Sequence, residues 1–256
     1  SLIIMCADNG VVEEGVTQTG QEVTAIVADN FTRGETSVCI MAEEAKVDLF
    51  PVDVGMATDV PSVTKKEYKV MYGTHNFAKE AAMTREEAVA AIEVGIQMVK
   101  KCAEAGYEIL ATGEMGIGNT TTSSAVLSVL LGKEPEEVTG RGAGLSDEAL
   151  NRKIRVIREG IMLCHPDPED AIDVLSKVGG LVTINGSVTA LGETYPVTAS
   201  IRVASPVYGE SVNIAPDYLD LTQSCKSASD NLLAIVDGIR SDTNGGGSSS
   251  SLRWTN

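Results

Sequence analysis

The chain has 256 residues, of which 43% are hydrophobic and only 4% aromatic, and its formal net charge is −16. This length fits one large domain or two small ones, with a core filled mainly by aliphatic side chains. So negative a charge argues against nucleic acid and an anionic membrane surface as partners, because both require clustered Lys and Arg. A phosphorylated small molecule is not excluded, since it needs only a local positive potential.

The cysteines and histidines give no sign of a disulfide framework or a metal site. The five cysteines are widely spaced and include no CxxC pair, which indicates free thiols in a reducing compartment. His75 and His165 have no Glu or Cys at ligand spacing, so neither a metal nor a cofactor is expected. No signal peptide opens the chain and no run of eighteen apolar residues crosses it. The sequence therefore predicts a cytoplasmic protein without membrane contact.

In chain order, the first 180 residues alternate between strand-like and helix-like segments. Strands are expected at residues 2–7, 47–55 and 107–112, and helices at about residues 21–31, 84–105, 120–132, 147–164 and 167–179. Pro51 would have to lie at a sheet edge or bulge, and Thr84 with Glu87 makes a capping box. This alternation predicts an α/β fold with a parallel sheet covered by helices, which binds ligands at the carboxyl ends of its strands.

The character of the sequence changes after residue 181. Alternating side chains from Tyr195 to Val203 predict a strand with one solvated face. A helix is predicted at residues 217–240, and the Gly- and Ser-rich end is predicted to be disordered. We therefore expect an α/β domain at residues 1–181, a divergent β-rich then helical segment of uncertain fold at residues 182–240, and a disordered tail at residues 241–256.

The stretch "ATGEMGIGNTTTSSAV", residues 111–126, lies between a predicted strand and a predicted helix. Unpaired N–H groups and the helix dipole at such a junction suit a phosphate, which Gly116, Gly118, Asn119 and Thr120 would contact. The stretch is neither a Walker A loop nor the dinucleotide GxGxxG. Two interpretations stay open: a phosphate-binding loop, or a tight strand–helix turn without a ligand.

Three charged residues accompany this stretch. Glu114 is predicted to lie in the loop itself, either as a surface glutamate or as an acceptor for a substrate N–H. The segment "GRGAGLSDEALNRK", residues 140–153, places Arg141 before a predicted helix and Lys153 on it. The two could bind a shared anion, or both could be solvated basic residues.

Three motifs carry a family resemblance: "CADNGVVEEGVTQTGQEVTA" (6–25), "GEMGIGNTTTSSAVLSVLLG" (113–132) and "GRGAGLSDEALNRK" (140–153). In this order and spacing, they resemble the nicotinate-nucleotide–dimethylbenzimidazole phosphoribosyltransferase family over about residues 2–181. The resemblance implies a Rossmann-like three-layer α/β domain, a homodimer and a metal-free pentosyltransferase (glycosyltransferase) reaction. Phosphoribosyl would pass from nicotinate mononucleotide to dimethylbenzimidazole, giving α-ribazole phosphate and nicotinate for the nucleotide loop of cobalamin.

The resemblance also assigns residues to the two ligand groups. Glu114 matches the carboxylate near the benzimidazole, and Met115 and Thr17 would line the same azole pocket. Gly116 lies on the family's phosphate loop, and Lys153 matches its phosphate-binding lysine. The catalytic residue stays unknown, for the reason that follows.

The chain departs from the family pattern at two places. Asn9 replaces the histidine of a "DHG" motif, and after Gly180 the sequence lacks the late "EGTG"-like motif whose glutamate is taken as the general base. Glu193 and Glu210 are the nearest substitutes. The chain is therefore interpreted as a partial or recombined transferase, impaired by loss of the base. The alternatives are a non-catalytic nucleotide-binding or structural remnant, or a separate β-rich interaction module at residues 182–240.

Overall fold

The structure, a computed structural model, describes residues 1–182 and the backbone of residues 187–190 and 193–196. The chain divides into two units, Ser1–Thr183 and Ile184–Asn256, and each is described by itself. The helix expected at residues 217–240 and the expected tail at residues 241–256 lie outside the described residues, as does most of the strand expected from Tyr195 to Val203.

The first unit contains a parallel sheet of three strands, packed against helices. The strands are β1 (Leu2–Ala7), β2 (Leu49–Gly55) and β3 (Ala111–Met115), in the order β2-β1-β3. The helices are α1 (Glu22–Arg33), α2 (Ser37–Ala45), α3 (Arg85–Glu104), α4 (Asn119–Leu131), α5 (Pro135–Val138), α6 (Asp147–Cys164) and α7 (Ala171–Val178), with a short 3₁₀ helix at Gly10–Glu14. The predicted α/β fold with a parallel sheet is confirmed.

β1 is apolar along its whole length because helices cover both of its faces. Ile3, Met5 and Ala7 pack into one apolar cluster with side chains of α3, α4, α6 and α7. Ile4 and Cys6 pack into a second cluster on the opposite face, with side chains of α1 and α2. Alternate residues of one strand thus serve two helix layers, which is the arrangement that buried parallel strands require.

β2 is an edge strand, and this position accommodates its proline. Among the described strands it pairs only with β1, where Pro51 lies opposite Ile4. A proline cannot donate to a second neighbour, so it is tolerated where one side of the strand has no partner. The expected edge position of Pro51 is confirmed.

The start of β3 was predicted four residues too early. The strand begins at Ala111, because it pairs with β1 in a register that runs from Leu2–Ala111 to Cys6–Met115. The preceding segment is anchored beside β2, where the Tyr107 ring packs edge-on against Phe50 and its hydroxyl donates to Asp48. Tertiary pairing therefore overrides the local apolar pattern of residues 107–110.

The start of α7 also differs from the prediction. The N-cap is Asp170, whose carboxylate accepts hydrogen bonds from the N–H groups of Ile172 and Asp173. Asp167, the expected cap, instead accepts from the N–H of Glu169 and closes a turn before the helix. The capping box of Thr84 at the start of α3 is present as predicted.

Within the second unit, the described backbone forms one antiparallel pair, β4 (Ser187–Ala190) with β5 (Glu193–Pro196). In the described part of the chain, no helix combines the length and hydropathy of a membrane span.

Two helical glycines provide a matched test of packing in the first unit. A Cβ on Gly160 of α6 would lie 2.3 Å from the buried ring of Phe77, whereas a Cβ on Gly95 of α3 would meet nothing within 4 Å. We expect Gly160→Ala to lower the free energy of unfolding by about 1–3 kcal/mol through overpacking. Gly95→Ala should raise it by roughly 0.5–1 kcal/mol, because alanine favours the helix.

Urea unfolding followed by circular dichroism measures both changes. Equal effects of the two substitutions would show that the Phe77 ring does not restrict residue 160.

Candidate functional site

The carboxyl ends of β1 and β3 meet at one edge of the sheet, and the loop after β3 packs directly on the end of β1. A Cβ on Gly116 would come within 2.4 Å of the Ala7 carbonyl oxygen. Gly118 has a φ of +89°, and a Cβ there would lie 2.7 Å from Val12. The protein's own packing therefore requires these glycines, which were predicted from the sequence to contact a phosphate.

This loop leads straight into the N-terminus of α4. The N–H of Asn119 donates to the Gly116 carbonyl, and those of Thr121 and Thr122 donate to the Gly118 carbonyl. The N–H groups of Gly118 and Thr120 donate to no residue within the described chain. Free N–H groups at the positive end of a thirteen-residue helix make a site for an anion.

Lys153 brings a positive charge to the same helix end. Its Nζ lies 2.8 Å from Thr120 Oγ1 and 3.1 Å from the Gly140 carbonyl oxygen, and the residue is only 1% exposed. No carboxylate in the described residues pairs with it. Burial lowers the pKa of Lys153 to about 8. An ammonium group that is buried without a counterion is suited to receive one from a ligand.

Glu114 was predicted to lie in the loop, but it lies in β3. Its side chain is solvent-exposed, and it makes no hydrogen bond or ion pair to the described residues. Even so, the surrounding protein desolvates the carboxyl group and raises its pKa to about 7. We call Glu114, Gly116–Thr120 and Lys153 the strand-end site.

Met115 does not join Glu114 on one surface. Successive side chains of a strand point to opposite faces, and Met115 packs with the cluster around Ile4 and Cys6. Met115 and Glu114, which were both predicted to contact the azole, therefore lie on opposite faces of the sheet.

The other two predicted residues lie in neighbouring loops. The guanidinium of Arg141 donates to the Leu145 carbonyl and pairs with the Asp147 carboxylate. The described contacts therefore do not place it on an anion shared with Lys153. Thr17 donates from its hydroxyl to the Thr19 carbonyl. The residue next to it, Gln18, donates to the Gly144 carbonyl and joins the loop of Thr17 to the loop of Arg141.

Sequence reasoning missed Thr24, which belongs to α1 but contacts the loop between β3 and α4. It is fully buried, and its Oγ1 accepts a hydrogen bond from the N–H of Ile117 at 3.1 Å. The available signal was a hydroxyl residue on the inward-facing side of an amphipathic helix, next to the apolar Val23. That signal identifies a buried polar group but not its partner.

The acidic residues near the strand ends are held by the protein itself. Asp53 is fully buried and pairs with Lys69, which also pairs with Asp59. A cavity of about 420 Å³ lies beside Lys69, and its lining includes no residue of the strand-end site. Among residues 1–182, no group of three or more His, Cys, Asp or Glu side chains could hold a metal ion.

Comparison with known proteins gives consistent results over the first unit. A family model described as Phosphoribosyltransferase matches residues 1–191. Nicotinate-nucleotide–dimethylbenzimidazole phosphoribosyltransferase from Acetivibrio thermocellus is 52% identical over 180 residues, which are 70% of this chain and 51% of that protein. The protein of the same name from Clostridium tetani is 46% identical over 178 residues, which are 70% of this chain and 49% of that one.

Solved structures agree with the sequence comparison. The crystal structure of CobT from Thermus thermophilus matches with a TM-score of 0.64 and 38% identity, over 70% of this chain and 54% of that chain. These similarities confirm the resemblance drawn from the three sequence motifs. The chain spans about half the length of the relatives it matches.

Because the charge of Lys153 is buried, we expect the free energy of unfolding to depend on pH. An unfolded lysine has a pKa near 10.4, while that of Lys153 is about 8. Between these values the unfolded chain binds the extra proton, so the contribution of Lys153 to stability rises as the pH rises from about 8 towards 10. Relative to Lys153→Met, the free energy of unfolding of the wild type should therefore increase by roughly 2 kcal/mol between pH 7 and 10.

Urea unfolding at the two pH values measures this difference. The exposed Lys100 provides the control, since Lys100→Met should change little with pH relative to the wild type. A pH-independent difference between the wild type and Lys153→Met would mean that Lys153 is not desolvated.

Proposed function

The chain belongs to the phosphoribosyltransferase family, and we propose that it transfers phosphoribosyl from nicotinate mononucleotide to dimethylbenzimidazole. The products would be α-ribazole phosphate and nicotinate. The observation that carries the proposal is the buried Lys153 beside the free N–H groups of α4, with Glu114 two residues before the loop.

The phosphate of nicotinate mononucleotide would bind at the N-terminus of α4. The N–H groups of Gly118 and Thr120 and the Nζ of Lys153 supply donors there, and none of these donors faces a carboxylate. The Asn119 side chain donates to the Val182 carbonyl and is thus already engaged within the fold. An anion at this position is stabilised by the helix dipole and restores a counterion to Lys153.

The chemistry would be a direct displacement that uses no metal or cofactor. The lone pair of an azole nitrogen forms the new bond to C1 of the ribose, and the bond from C1 to the nicotinate nitrogen breaks. The bonding electrons leave with nicotinate, and the anomeric configuration inverts. The attacking azole must also lose its N–H proton, so the site needs an acceptor near the base.

Glu114 is the carboxylate proposed to face the azole. At pH 7 an exposed glutamate is almost fully ionised and a weak base, whereas the pKa of Glu114 is raised to about 7 by desolvation. A base whose pKa lies near the working pH accepts a proton more effectively. Glu114 thus suits the azole N–H, first as a hydrogen-bond acceptor and then as a proton acceptor.

A second function, ligand binding without turnover, is favoured by the sequence of the C-terminal part. Residues 182–256 contain no "EGTG"-like motif. Glu193 lies in β5, and Glu210 lies outside the described residues. Without the late glutamate, turnover would depend on Glu114.

Assembly as a homodimer in the cytoplasm is part of the same proposal. Ile92, Ile96 and Val99 form an exposed apolar row on α3, which would favour contact with a second copy. The four cysteines among the described residues are free, as is usual in a reducing compartment. Cell fractionation tests the location, and recovery outside the cytoplasm would contradict it.

Nicotinate release tests the transfer reaction. Purified protein mixed with nicotinate mononucleotide should release nicotinate only when dimethylbenzimidazole is present, as followed by chromatography. Glu114→Gln should lower kcat/KM about 10²–10⁴-fold, because it removes the proton acceptor for the azole N–H. The matched control is Glu108→Gln, an exposed glutamate before β3, which should leave the rate unchanged.

Calorimetry with nicotinate mononucleotide separates the two functions. Binding without azole-dependent release would support the ligand-binding function and contradict the transferase. Absence of both would contradict the phosphate site itself.

Sedimentation tests the proposed dimer. Because one chain has a mass of 26.9 kDa, a homodimer should sediment with twice that mass at micromolar concentration. A single species of monomer mass that persists as the concentration rises would contradict the dimer.

A further inference from the structure

The backbone of Ile117 is held by a side chain on each side of its Cα. The Ile117 N–H, which belongs to the peptide group between Gly116 and Ile117, donates to Thr24 Oγ1 at 3.1 Å. The Ile117 carbonyl, which belongs to the peptide group between Ile117 and Gly118, accepts a hydrogen bond from Asn9 Nδ2 at 3.0 Å. Two side chains from distant parts of the chain therefore fix two consecutive peptide groups in this loop.

Both side chains are themselves fixed. Thr24 and Asn9 are 0% and 2% exposed. The Asn9 carbonyl accepts a hydrogen bond from Gln21 Nε2 at 2.8 Å, which ties the end of β1 to the start of α1. A Cβ on Gly118 would also come within 3.3 Å of the Asn9 side chain. Both side chains therefore bind the loop from buried positions.

The orientation of these peptide groups matters because each has a donor on one side and an acceptor on the other. The peptide group that presents the Ile117 carbonyl to Asn9 carries the Gly118 N–H on its opposite side. If this peptide group turned over, its carbonyl oxygen, which repels a phosphate, would take the place of the Gly118 N–H. The rotation would also change the left-handed turn at Gly118, whose φ is +89°. The turn at Gly118 in turn sets where the N–H groups of Gly118 and Thr120 lie.

We propose that Asn9 and Thr24 are positioning residues of the phosphate loop. They hold the two peptide groups on either side of the Ile117 Cα and so keep the N–H groups of Gly118 and Thr120 available to a phosphate. This proposal rests on the proposed function, because it assumes that the loop binds a phosphate group.

Asp8 lies beside the hydroxyl group of Thr24. The nearby Thr24 hydroxyl favours the ionised form of Asp8, while burial raises the pKa of Asp8 overall. Its Oδ2 accepts a hydrogen bond from the Ala57 N–H, whereas its Oδ1 accepts none from the described residues. Thr24→Val therefore removes the hydrogen bond to the loop together with this contact to Asp8, and a control has to match both losses.

A matched control exists at the end of β2. Thr64 Oγ1 accepts a hydrogen bond from the Val60 N–H at 2.8 Å and donates to Asp53 at 2.6 Å. It resembles Thr24 as a hydroxyl that secures a backbone N–H next to a buried aspartate, but it has no contact with the phosphate loop. Thr64→Val measures what the loss of such a hydroxyl does to the fold alone.

The experiment compares Thr24→Val, Thr24→Ser and Thr64→Val in the full chain by calorimetry, with nicotinate mononucleotide and inorganic phosphate as probes. We expect Thr24→Val to raise the Kd for both probes about tenfold, which corresponds to the loss of one well-placed hydrogen bond. Thr24→Ser keeps the hydroxyl and should stay within about twofold of the wild type, as should Thr64→Val. Equal weakening by Thr24→Val and Thr64→Val would overturn the proposal.

Hydrogen exchange gives a readout that needs no ligand. Thr24→Val should speed amide exchange in residues 116–119, whereas Thr64→Val should not. Unchanged exchange there in Thr24→Val would overturn the positioning role, whatever the affinities. If the wild type binds neither probe but Thr24→Val loosens the loop, the held peptide is supported, and the proposed phosphate site is what fails.

Discussion

Parallel pairing of β1 with β3 is the constraint on which the strand-end site depends. The register places Gly116 so close to the Ala7 carbonyl that no side chain fits between them. Once the loop is fixed there, α4 must begin at Asn119, and Thr120 meets Lys153 from α6. The positions of the donors in the proposed anion site are therefore a consequence of strand register.

The chain handles two buried lysines in opposite ways. Burial alone would lower the pKa of Lys69, but hydrogen bonds to Asp59 and Asp53 raise it overall, and the charge is neutralised within the fold. Lys153 has no such partner, and burial lowers its pKa to about 8. In a chain with a net charge of −16, a buried lysine without a carboxylate among the described residues is a local exception that costs stability. Hydrogen bonds to Thr120 and to the Gly140 carbonyl offset part of that cost, and an anion bound at the proposed site would offset more of it.

Sequence patterns predicted an element correctly where the signal lies within a few residues of that element. The apolar run at residues 2–7 and the capping box at Thr84 each specify their element from within a few residues. The start of β3 was missed because its register depends on pairing with a strand about a hundred residues away. The contact of Thr24 with Ile117 could not be predicted for the same reason, since no spacing within α1 indicates a partner 93 residues later.

In the proposed function, phosphate recognition and proton transfer depend on different amounts of the chain. Recognition would be shared among several donors, all within residues 1–182, so that the loss of any one of them would weaken binding only in part. Proton transfer would depend on a single carboxylate, whose loss lowers a rate by about 10²–10⁴-fold. A chain without its base would therefore lose turnover before it loses binding. Of the carboxylates at the ends of β1 and β3, Asp8 is buried and accepts a hydrogen bond from the Ala57 N–H, whereas Glu114 is exposed and is therefore the one proposed to face a substrate.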